Sequence, residues 1–389
     1  VLDDRFRVDE PISEGGLGKV YRGTQTKVGR AVAIKVLSSD LDRPETQMRR
    51  FLREARTLSQ LSHPNIVNFI DSGQDPRHEA VYLVMELIEG DDLSELVGDD
   101  RIHPALLTEI GIQVCSALAE PHDAGMIHRA LKPANLMLSS RVDGALETKI
   151  VDFGITNVVH DETRLTKQGN VCGTPHYMAP EQVEGGPMTP AADVYALGAI
   201  FFHLLTGTVV FEGKSDIQVL FGHVQKPAPS PSRIAGAPGV PEALGHLVGA
   251  MLAKSPGDRP GSALVVRGEL EAMRREHGFP AIRIDPDLPL QRAIDQWIYR
   301  ADTASRSLDR PVTGEVASRP ETGAEKVAGS APSTDPSAQS LRVSEQVDGA
   351  SARERTAQIA VDSSPAQPEP KRDREPPSIS GSGPGPSGS

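Results

Sequence analysis

Two short stretches of the sequence hold the side-chain types that chemistry on a phosphate group needs. Residues 126–138 contain a histidine, an arginine, a lysine and an asparagine in close succession, and residues 149–154 place an aspartate after an apolar run. Phosphoryl transfer depends mostly on positioning and charge neutralisation, so cationic groups and oxygen ligands for metal ions converge where it takes place. The two stretches are therefore candidates for one site of this kind.

A glycine-rich turn near the N-terminal end of the chain fits the same chemistry. Residues 12–20 read Ile-Ser-Glu-Gly-Gly-Leu-Gly-Lys-Val, between two strand-like runs that predict an antiparallel sheet. Small residues let a backbone fold over a triphosphate and point N–H groups at its oxygens. A glycine cluster between strands is equally an ordinary hairpin, so the turn alone does not decide.

Other candidates are ambiguous when each is taken alone. Lys35 ends an apolar strand, where a lysine is usually a solvated edge charge. Glu54 lies in residues 48–61, where apolar side chains recur at helical spacing. His128 by itself reads as a packed core histidine, and Asp193 as an acid at a helix N-terminus. A functional role can be predicted for these residues only when they are considered together.

Taken together, in this order and at this spacing, the motifs resemble the eukaryotic-like (Hanks-type) serine/threonine protein kinases of bacteria. That family has a catalytic loop His-Arg-Asp-Leu-x-x-x-x-Asn and a metal-binding turn Asp-Phe-Gly. Here Ala130 stands at the aspartate that receives the proton of the substrate hydroxyl, and Ser13 stands at the first glycine of the glycine loop.

The resemblance implies an α+β, bilobal kinase fold over residues 6–278. The N-lobe, about 6–88, would be an antiparallel sheet plus one helix, and the C-lobe, about 89–278, mainly helical. Residues 106–124 predict an amphipathic helix that delivers the catalytic loop, and residues 194–205 predict a buried core helix.

ATP and Mg²⁺ are the cofactors that the resemblance implies. Lys132 would reach the transferred phosphoryl group, Asn135 and Asp152 would hold Mg²⁺, and Lys35, paired with Glu54, would contact the α- and β-phosphates. Met85 would be the gatekeeper beside the adenine. The remaining residues expected to line the nucleotide site are Ile12, Gly15, Gly18, Val20, Ala33, Glu86 and Ile88.

The resemblance also implies an activation segment at 152–181, and the context of Thr174 is that of kinases acting on serine and threonine. Protein substrates with such acceptors are the expected partners, with a second copy of the kinase as a further possible one. Arg129 would neutralise a phosphorylated residue of the segment. Thr166 has the spacing of an activating phosphothreonine and Thr163 is a second candidate, although either can be a loop threonine without a role.

Two further expectations concern support of the site. Asp193 would brace the backbone of the catalytic loop, and Arg259 would pair with Glu181. Both contacts would support the fold, and neither indicates whether the protein is catalytically active.

Ala130 leaves two origins open: a natural pseudokinase that serves as a scaffold or allosteric partner, or an engineered inactive variant. A methyl group accepts no proton, and general-base assistance is worth about 10²–10⁴ in rate. We therefore expect near-normal Mg·ATP binding and strongly reduced phosphoryl transfer.

Composition excludes some classes of partner. A net charge of −12 argues against nucleic acid, and the distant Cys115 and Cys172 fit a reducing compartment, hence a cytoplasmic location. No segment resembles a signal peptide or a membrane span.

Residues 279–302 predict an amphipathic helix and connector that packs on the C-lobe or, as a second interpretation, binds a partner. Residues 303–389 are Pro-, Ser- and Gly-rich and predict a disordered tail.

Overall fold

The structure, a computed structural model, describes residues 1–15, 18–37, 59, 61–78, 80–96, 101–153, 174–233 and 240–308. In the N-terminal lobe five strands form one antiparallel sheet in the order β1-β2-β3-β5-β4. These strands are β1 Phe6–Gly15, β2 Gly18–Gln25, β3 Arg30–Leu37, β4 Phe69–Asp75 and β5 Ala80–Glu86.

The two central strands, β3 and β5, are apolar and buried. Along β5 the residues from Val81 to Met85 are all buried, because the strand is covered on both faces. This confirms the antiparallel sheet that the sequence predicts.

The second lobe is mainly helical. Its long helix α2 is amphipathic and ends where Gly125 takes a left-handed φ of 74°, and α4 is buried over almost its whole length. The helices described are α1 Leu93–Leu96, α2 Pro104–Asp123, α3 Pro180–Glu184, α4 Ala191–Thr206, α5 Asp216–Gln225, α6 Glu242–Met251, α7 Ala263–Glu276 and α8 Leu290–Leu308. Among these described helices none has the length and apolarity needed to cross a membrane.

A small antiparallel sheet of β6 Asp91–Asp92, β7 Leu136–Ser140 and β8 Leu146–Ile150 lies beneath the cleft. In the β7–β8 hairpin Leu136 pairs with Ile150, so the residues just before β7 and just after β8 meet at its open end. The loop before β4 joins this hairpin to the N-terminal lobe: Ile150 N donates to Asn65 O (2.9 Å) and Val67 N donates to Ile150 O (2.9 Å).

The helix predicted within 279–302 forms over Leu290–Leu308. Leu290, Ala293, Ile294 and Trp297 recur at helical spacing and are buried in the core of the C-terminal lobe, as the first reading expects. The helix runs past the predicted start of the tail, so the boundary at 303 is wrong for residues 303–308. Once a helix is nucleated on a core, each added residue gains one hydrogen bond, and this extends it beyond its apolar stripe. The rest of the predicted tail, 309–389, lies outside the described residues.

Candidate active site

The β7–β8 hairpin brings the two predicted metal ligands together. Asn135 immediately precedes β7, and Asp152 is the second residue after the end of β8. Across the open end Val151 N donates to Asn135 O at 2.9 Å. The buried Asn135 side chain donates from Nδ2 to Ala130 O at 2.8 Å, and its carboxamide oxygen accepts no hydrogen bond from the described residues. That oxygen is available to a ligand.

Lys35 on β3 reaches across the cleft to Asp152. Its Nζ lies 2.7 Å from Asp152 Oδ2, and the lysine is only 5 % exposed. The pair joins the two lobes, with a cation and a carboxylate meeting where a metal-bound phosphate would sit. Glu54, the partner predicted for Lys35, lies outside the described residues.

Asp193, at the start of α4, fastens the catalytic loop. Its Oδ2 accepts from the backbone N–H of His128 (2.7 Å), and its Oδ1 accepts from that of Arg129 (2.8 Å). His122 Nε2 lies 2.9 Å from the same Oδ2. The predicted bracing role of Asp193 therefore has a direct geometric basis.

His128 is fully buried, and burial lowers its pKa. Its Nε2 lies 3.2 Å from Val151 O, and its Nδ1 accepts from Ala130 N at 3.3 Å. A neutral imidazole with the proton on Nε2 satisfies both bonds. The ring packs edge-on against Phe153, with centroids 4.9 Å apart, so it links the catalytic loop to the residue after Asp152.

Two non-glycine residues of the site have a left-handed backbone, Arg129 (φ 64°) and Asp152 (φ 57°). Such conformations cost about 1–3 kcal/mol and persist where surrounding bonds over-determine them. At Arg129 the N–H is held by Asp193, and the carbonyl accepts from Gln182 Nε2 at 2.7 Å. The Arg129 side chain remains exposed.

Glu181 and Arg259 form the predicted ion pair, which is bidentate. Nη1 lies 2.7 Å from Oε1 and Nη2 lies 2.8 Å from Oε2. The other guanidinium N–H groups donate to the carbonyls of Ala191, Ala253 and Lys254. All five donors of Arg259 are thereby satisfied, which makes burial of the pair tolerable.

Of the residues predicted to line the adenine, Met85 and Ala33 are buried beside each other in the β3–β5 pairing. Ile88 N–H, just beyond β5, makes no hydrogen bond to the described part of the chain. The Glu86 carboxylate accepts from Asn68 N (2.7 Å) and Lys149 Nζ (2.8 Å), so it faces the protein.

Of the glycine turn, the structure describes the residues on either side of positions 16 and 17. Gly18 has a φ of 143°, and a Cβ there would lie 2.1 Å from Val36 O, so only glycine fits. Gly15 pairs with Gly18, Val20 lies on β2 opposite Lys35, and Ile12 on β1 is half exposed.

Ala130 takes part in the loop only through its backbone. Its carbonyl accepts from Asn135 and its N–H donates to His128, while its methyl group offers neither a donor nor an acceptor. Lys132, partly buried, follows two residues later. Thr163 and Thr166 lie outside the described residues.

Three supporting residues escape sequence reasoning: Gln182, His122 and Lys149. Each makes a contact to a residue far away in sequence, and none belongs to a motif with its own chemistry. Of the three, Lys149 alone carries a weak signal, since a lysine directly before the Ile-Val-Asp-Phe-Gly stretch invites a search for a partner.

The residues present fit a magnesium-bound nucleoside triphosphate. Asp152 and Asn135 supply oxygen ligands of the kind that Mg²⁺ prefers, and Lys35 supplies a buried cation. The Ile88 N–H, just beyond β5, has no hydrogen-bond acceptor among the described residues. At Gly18 the backbone of β2 approaches the carbonyl of Val36 on β3 so closely that no side chain fits between them.

This fold and site define a protein kinase. A family model described as "Protein kinase domain" matches residues 6–269, more than half of the chain, and the chain belongs to that family. Within it, the chain is one of the Hanks-type serine/threonine kinases found in bacteria, as the following relatives show.

The chain is 38 % identical over 276 residues to the serine/threonine-protein kinase pkn3 of Myxococcus xanthus, covering 70 % of this chain and 50 % of that protein. It is 33 % identical over 342 residues to PknL of Mycobacterium tuberculosis, covering 86 % and 84 %. It therefore spans about half the length of some curated relatives that it matches.

Among solved structures, the kinase domain of Mycobacterium tuberculosis PknI matches with a TM-score of 0.54 and 25 % identity, over 70 % of this chain and 95 % of that one. The bilobal kinase fold is confirmed by this match together with the antiparallel sheet and the helical lobe.

Proposed function

We propose that this chain binds Mg·ATP in the cleft between its lobes and is built to transfer the γ-phosphoryl group to serine or threonine of protein substrates, a transfer that Ala130 strongly reduces. The observation that carries the proposal is the 2.7 Å contact of Lys35 Nζ with Asp152 Oδ2, beside the hydrogen bond from Val151 N to Asn135 O that keeps Asn135 next to Asp152 in the fold.

Each of these residues has a separate task. Asp152 and Asn135 would hold magnesium, which when bound neutralises phosphate charge. Lys35 orients the α- and β-phosphates from the N-terminal lobe, and Lys132 faces the transferred group. Gly18 keeps the backbone close to the phosphates, and the N–H of Ile88 binds the adenine edge.

The step that lacks a residue is acceptance of the hydroxyl proton. In an active loop a carboxylate at position 130 would hold the acceptor hydroxyl in line and receive its proton. With Ala130 the hydroxyl must lose its proton to water, which removes about 10²–10⁴ in rate. The loop around the position stays formed, because Asp193, Asn135 and Gln182 bind its backbone and not that side chain.

The test is to restore the carboxylate. Ala130→Asp should raise transfer of labelled γ-phosphate to a generic basic protein by about 10²–10⁴, with Mg·ATP affinity changed by less than tenfold. Ala130→Asn, which has nearly the same shape but accepts no proton, is the matched control and should remain slow. Ordinary turnover by the Ala130 protein, or absence of Mg²⁺-dependent ATP binding, would contradict the proposal.

A second candidate function, an ATP-binding scaffold, is favoured by Ala130 itself, since the binding residues are present and the base is not. The same experiment separates the two. A fully folded Ala130→Asp protein that binds Mg·ATP and still transfers nothing would favour the scaffold. Regulation through Arg129 and phosphorylation of Thr166 or Thr163 belongs to the kinase alternative, and mass spectrometry of the Ala130→Asp protein tests it.

A further inference from the structure

The segment after the family match makes contacts that bear on the metal ligands. Residues 282–284 run alongside the turn of the β7–β8 hairpin: Ile284 N donates to Gly144 O (2.8 Å), Leu146 N donates to Ile282 O (3.4 Å), and Arg283 Nη1 donates to Asp143 O (2.8 Å). Ile282 and Ile284 are buried. The hairpin turn is therefore held from outside by a third stretch of backbone.

Gly144 shows how close this approach is. Its φ is 78°, and a Cβ at this position would lie 2.8 Å from Ile284 O. Both the turn and the neighbouring segment require glycine here.

Helix α8 follows this segment in the chain, shares the core of the C-terminal lobe with Ile282 and Ile284, and contacts β7. Ile294 and Trp297 are buried in the core, and the Trp297 ring meets His103 edge-on, with centroids 5.8 Å apart. His103 is the N-cap of α2, accepting from Ala105 N through Nδ1 (3.1 Å). We call residues 282–284 and α8 together the C-terminal clamp.

The clamp and the candidate metal ligands sit at opposite ends of the same hairpin. The clamp grips the turn, while Asn135 and Asp152 lie at the open end, about 15 Å away along two paired strands. A two-stranded hairpin is marginally stable by itself. Here the two-residue β6 pairs with β7, helix α2 packs against β8, and the clamp covers the turn, so the geometry of the hairpin depends on all three.

We infer that the C-terminal clamp is a positioning element for the metal site: when docked it fixes the β7–β8 hairpin, and with it the separation of Asn135 and Asp152. The inference rests on the proposed function in that these two residues bind Mg·ATP. The inference implies that docking of α8 and binding of nucleotide are coupled. Undocking α8 lowers nucleotide affinity, and nucleotide binding strengthens docking of α8 by the same factor.

The chain supplies its own reporter, since Trp297 is its one tryptophan. The experiment uses the full chain and two variants of α8: Ile294→Ala, which removes a buried contact, and Gln296→Ala on the exposed face, the matched control. Mg·ATP binding is measured by calorimetry, and docking by acrylamide quenching of Trp297. Hydrogen exchange of the Val151 amide, which closes the open end of the hairpin, adds a readout that needs no nucleotide.

We expect Ile294→Ala to raise the Mg·ATP dissociation constant about 5- to 10-fold, expose Trp297 to quencher and accelerate exchange at Val151. Ile294→Val should lie between, and Gln296→Ala should match the parent protein. Saturating Mg·ATP should reduce quenching in the parent protein as well.

Failures of the two proposals look different. A parent protein that binds no Mg·ATP overturns the proposed function, and the inference with it. The inference alone is overturned if the parent protein binds Mg·ATP and the Ile294→Ala protein, with Trp297 exposed to quencher, binds it with unchanged affinity. Should Ile294→Ala not fold, the parent protein decides: quenching that ignores saturating Mg·ATP contradicts the coupling.

Discussion

Two ion pairs, one in the cleft and one in the helical core, are built in opposite ways. Lys35 and Asp152 meet across the lobes with one bond of 2.7 Å, and the Asp152 side chain is 27 % exposed. Arg259 and Glu181 meet within one lobe through two bonds, and the Arg259 side chain is fully inaccessible.

The difference indicates what each pair is for. Every N–H of Arg259 already has an acceptor in the protein, so the pair can bind nothing else and acts as a structural tie between the end of the activation segment and the helices below. The Asp152 carboxylate is partly open to solvent, so it has room for a further partner besides Lys35. The Arg259–Glu181 pair supports the fold, whereas the Lys35–Asp152 pair is suited to the ligand that we propose for it.

The largest effect expected is on the buried pair. Arg259→Leu leaves the Glu181 carboxylate buried without its partner and should lower the free energy of unfolding by about 3–5 kcal/mol. Urea unfolding measures it. Arg267→Leu is the control, because Arg267 pairs with Glu271 at the surface and should cost less than about 1 kcal/mol.

The double variant Glu181→Leu/Arg259→Leu sharpens the comparison. Replacing both partners removes the unpaired charge, so the double variant should be more stable than Arg259→Leu alone. Equal instability of the two would mean that the pair is not a coupled unit.

Asp193 comes next in size. Asp193→Asn turns one acceptor oxygen into a donor facing the N–H of His128 or Arg129, which should cost about 1–3 kcal/mol. Asp216→Asn, at the exposed start of α5, is the control. Hydrogen exchange of the Arg129 amide should be faster in Asp193→Asn than in Asp216→Asn. Equal exchange rates in the two variants would mean that Asp193 only stabilises the end of the helix and does not hold the catalytic loop.

Acid should lower stability through a buried histidine of the helical lobe. His223 is fully buried, with Tyr195 OH 2.9 Å from Nδ1, Lys254 Nζ donating to its carbonyl and Phe211 edge-on to its ring. Burial, reinforced by the Lys254 charge, lowers its pKa to about 3. Below about pH 6.5 the unfolded chain therefore binds a proton that the folded chain refuses.

The sign follows from this difference. The contribution of neutral His223 is complete above about pH 6.5 and falls by about 1.4 kcal/mol per pH unit as pH drops towards 3. His223→Gln should flatten urea-derived stability between pH 6.5 and 5 by about that slope. His246→Gln, at an exposed position, should leave the slope unchanged; equal slopes for both variants would contradict the assignment.

Sequence reasoning succeeds where a motif carries its own partner. Asp193 and Arg259 are predicted with their contacts because each belongs to a short motif of the family, and both contacts form. The β3 and β5 strands and helices α2 and α4 follow from apolar pattern and length. These features are local or encoded by family spacing.

The features that the sequence does not predict are contacts between residues far apart in the chain and the backbone conformations of single residues. The 2.7 Å contact of Lys35 with Asp152 depends on how the lobes meet, and the bond from Gln182 to Arg129 O joins residues that share no pattern. The left-handed backbone of Arg129 and Asp152 has no signal, since neither is glycine. The extension of α8 to Leu308 reflects propagation from a docked helix, which composition does not reveal.

The smallest expected change in stability is at Lys35, and it tests the comparison most directly. Lys35→Met keeps the apolar stem and removes the charge, and Asp152, open to water, can be solvated in its place. We expect the free energy of unfolding to change by less than about 1 kcal/mol, while Mg·ATP affinity falls at least tenfold. Lys214→Met, at an exposed position, should change neither quantity. A Lys35→Met protein that loses as much stability as Arg259→Leu and keeps its nucleotide affinity would place both pairs in the same structural class. A Lys35→Met protein that keeps its stability and loses nucleotide affinity would show that the Lys35–Asp152 pair serves ligand binding and not the stability of the fold.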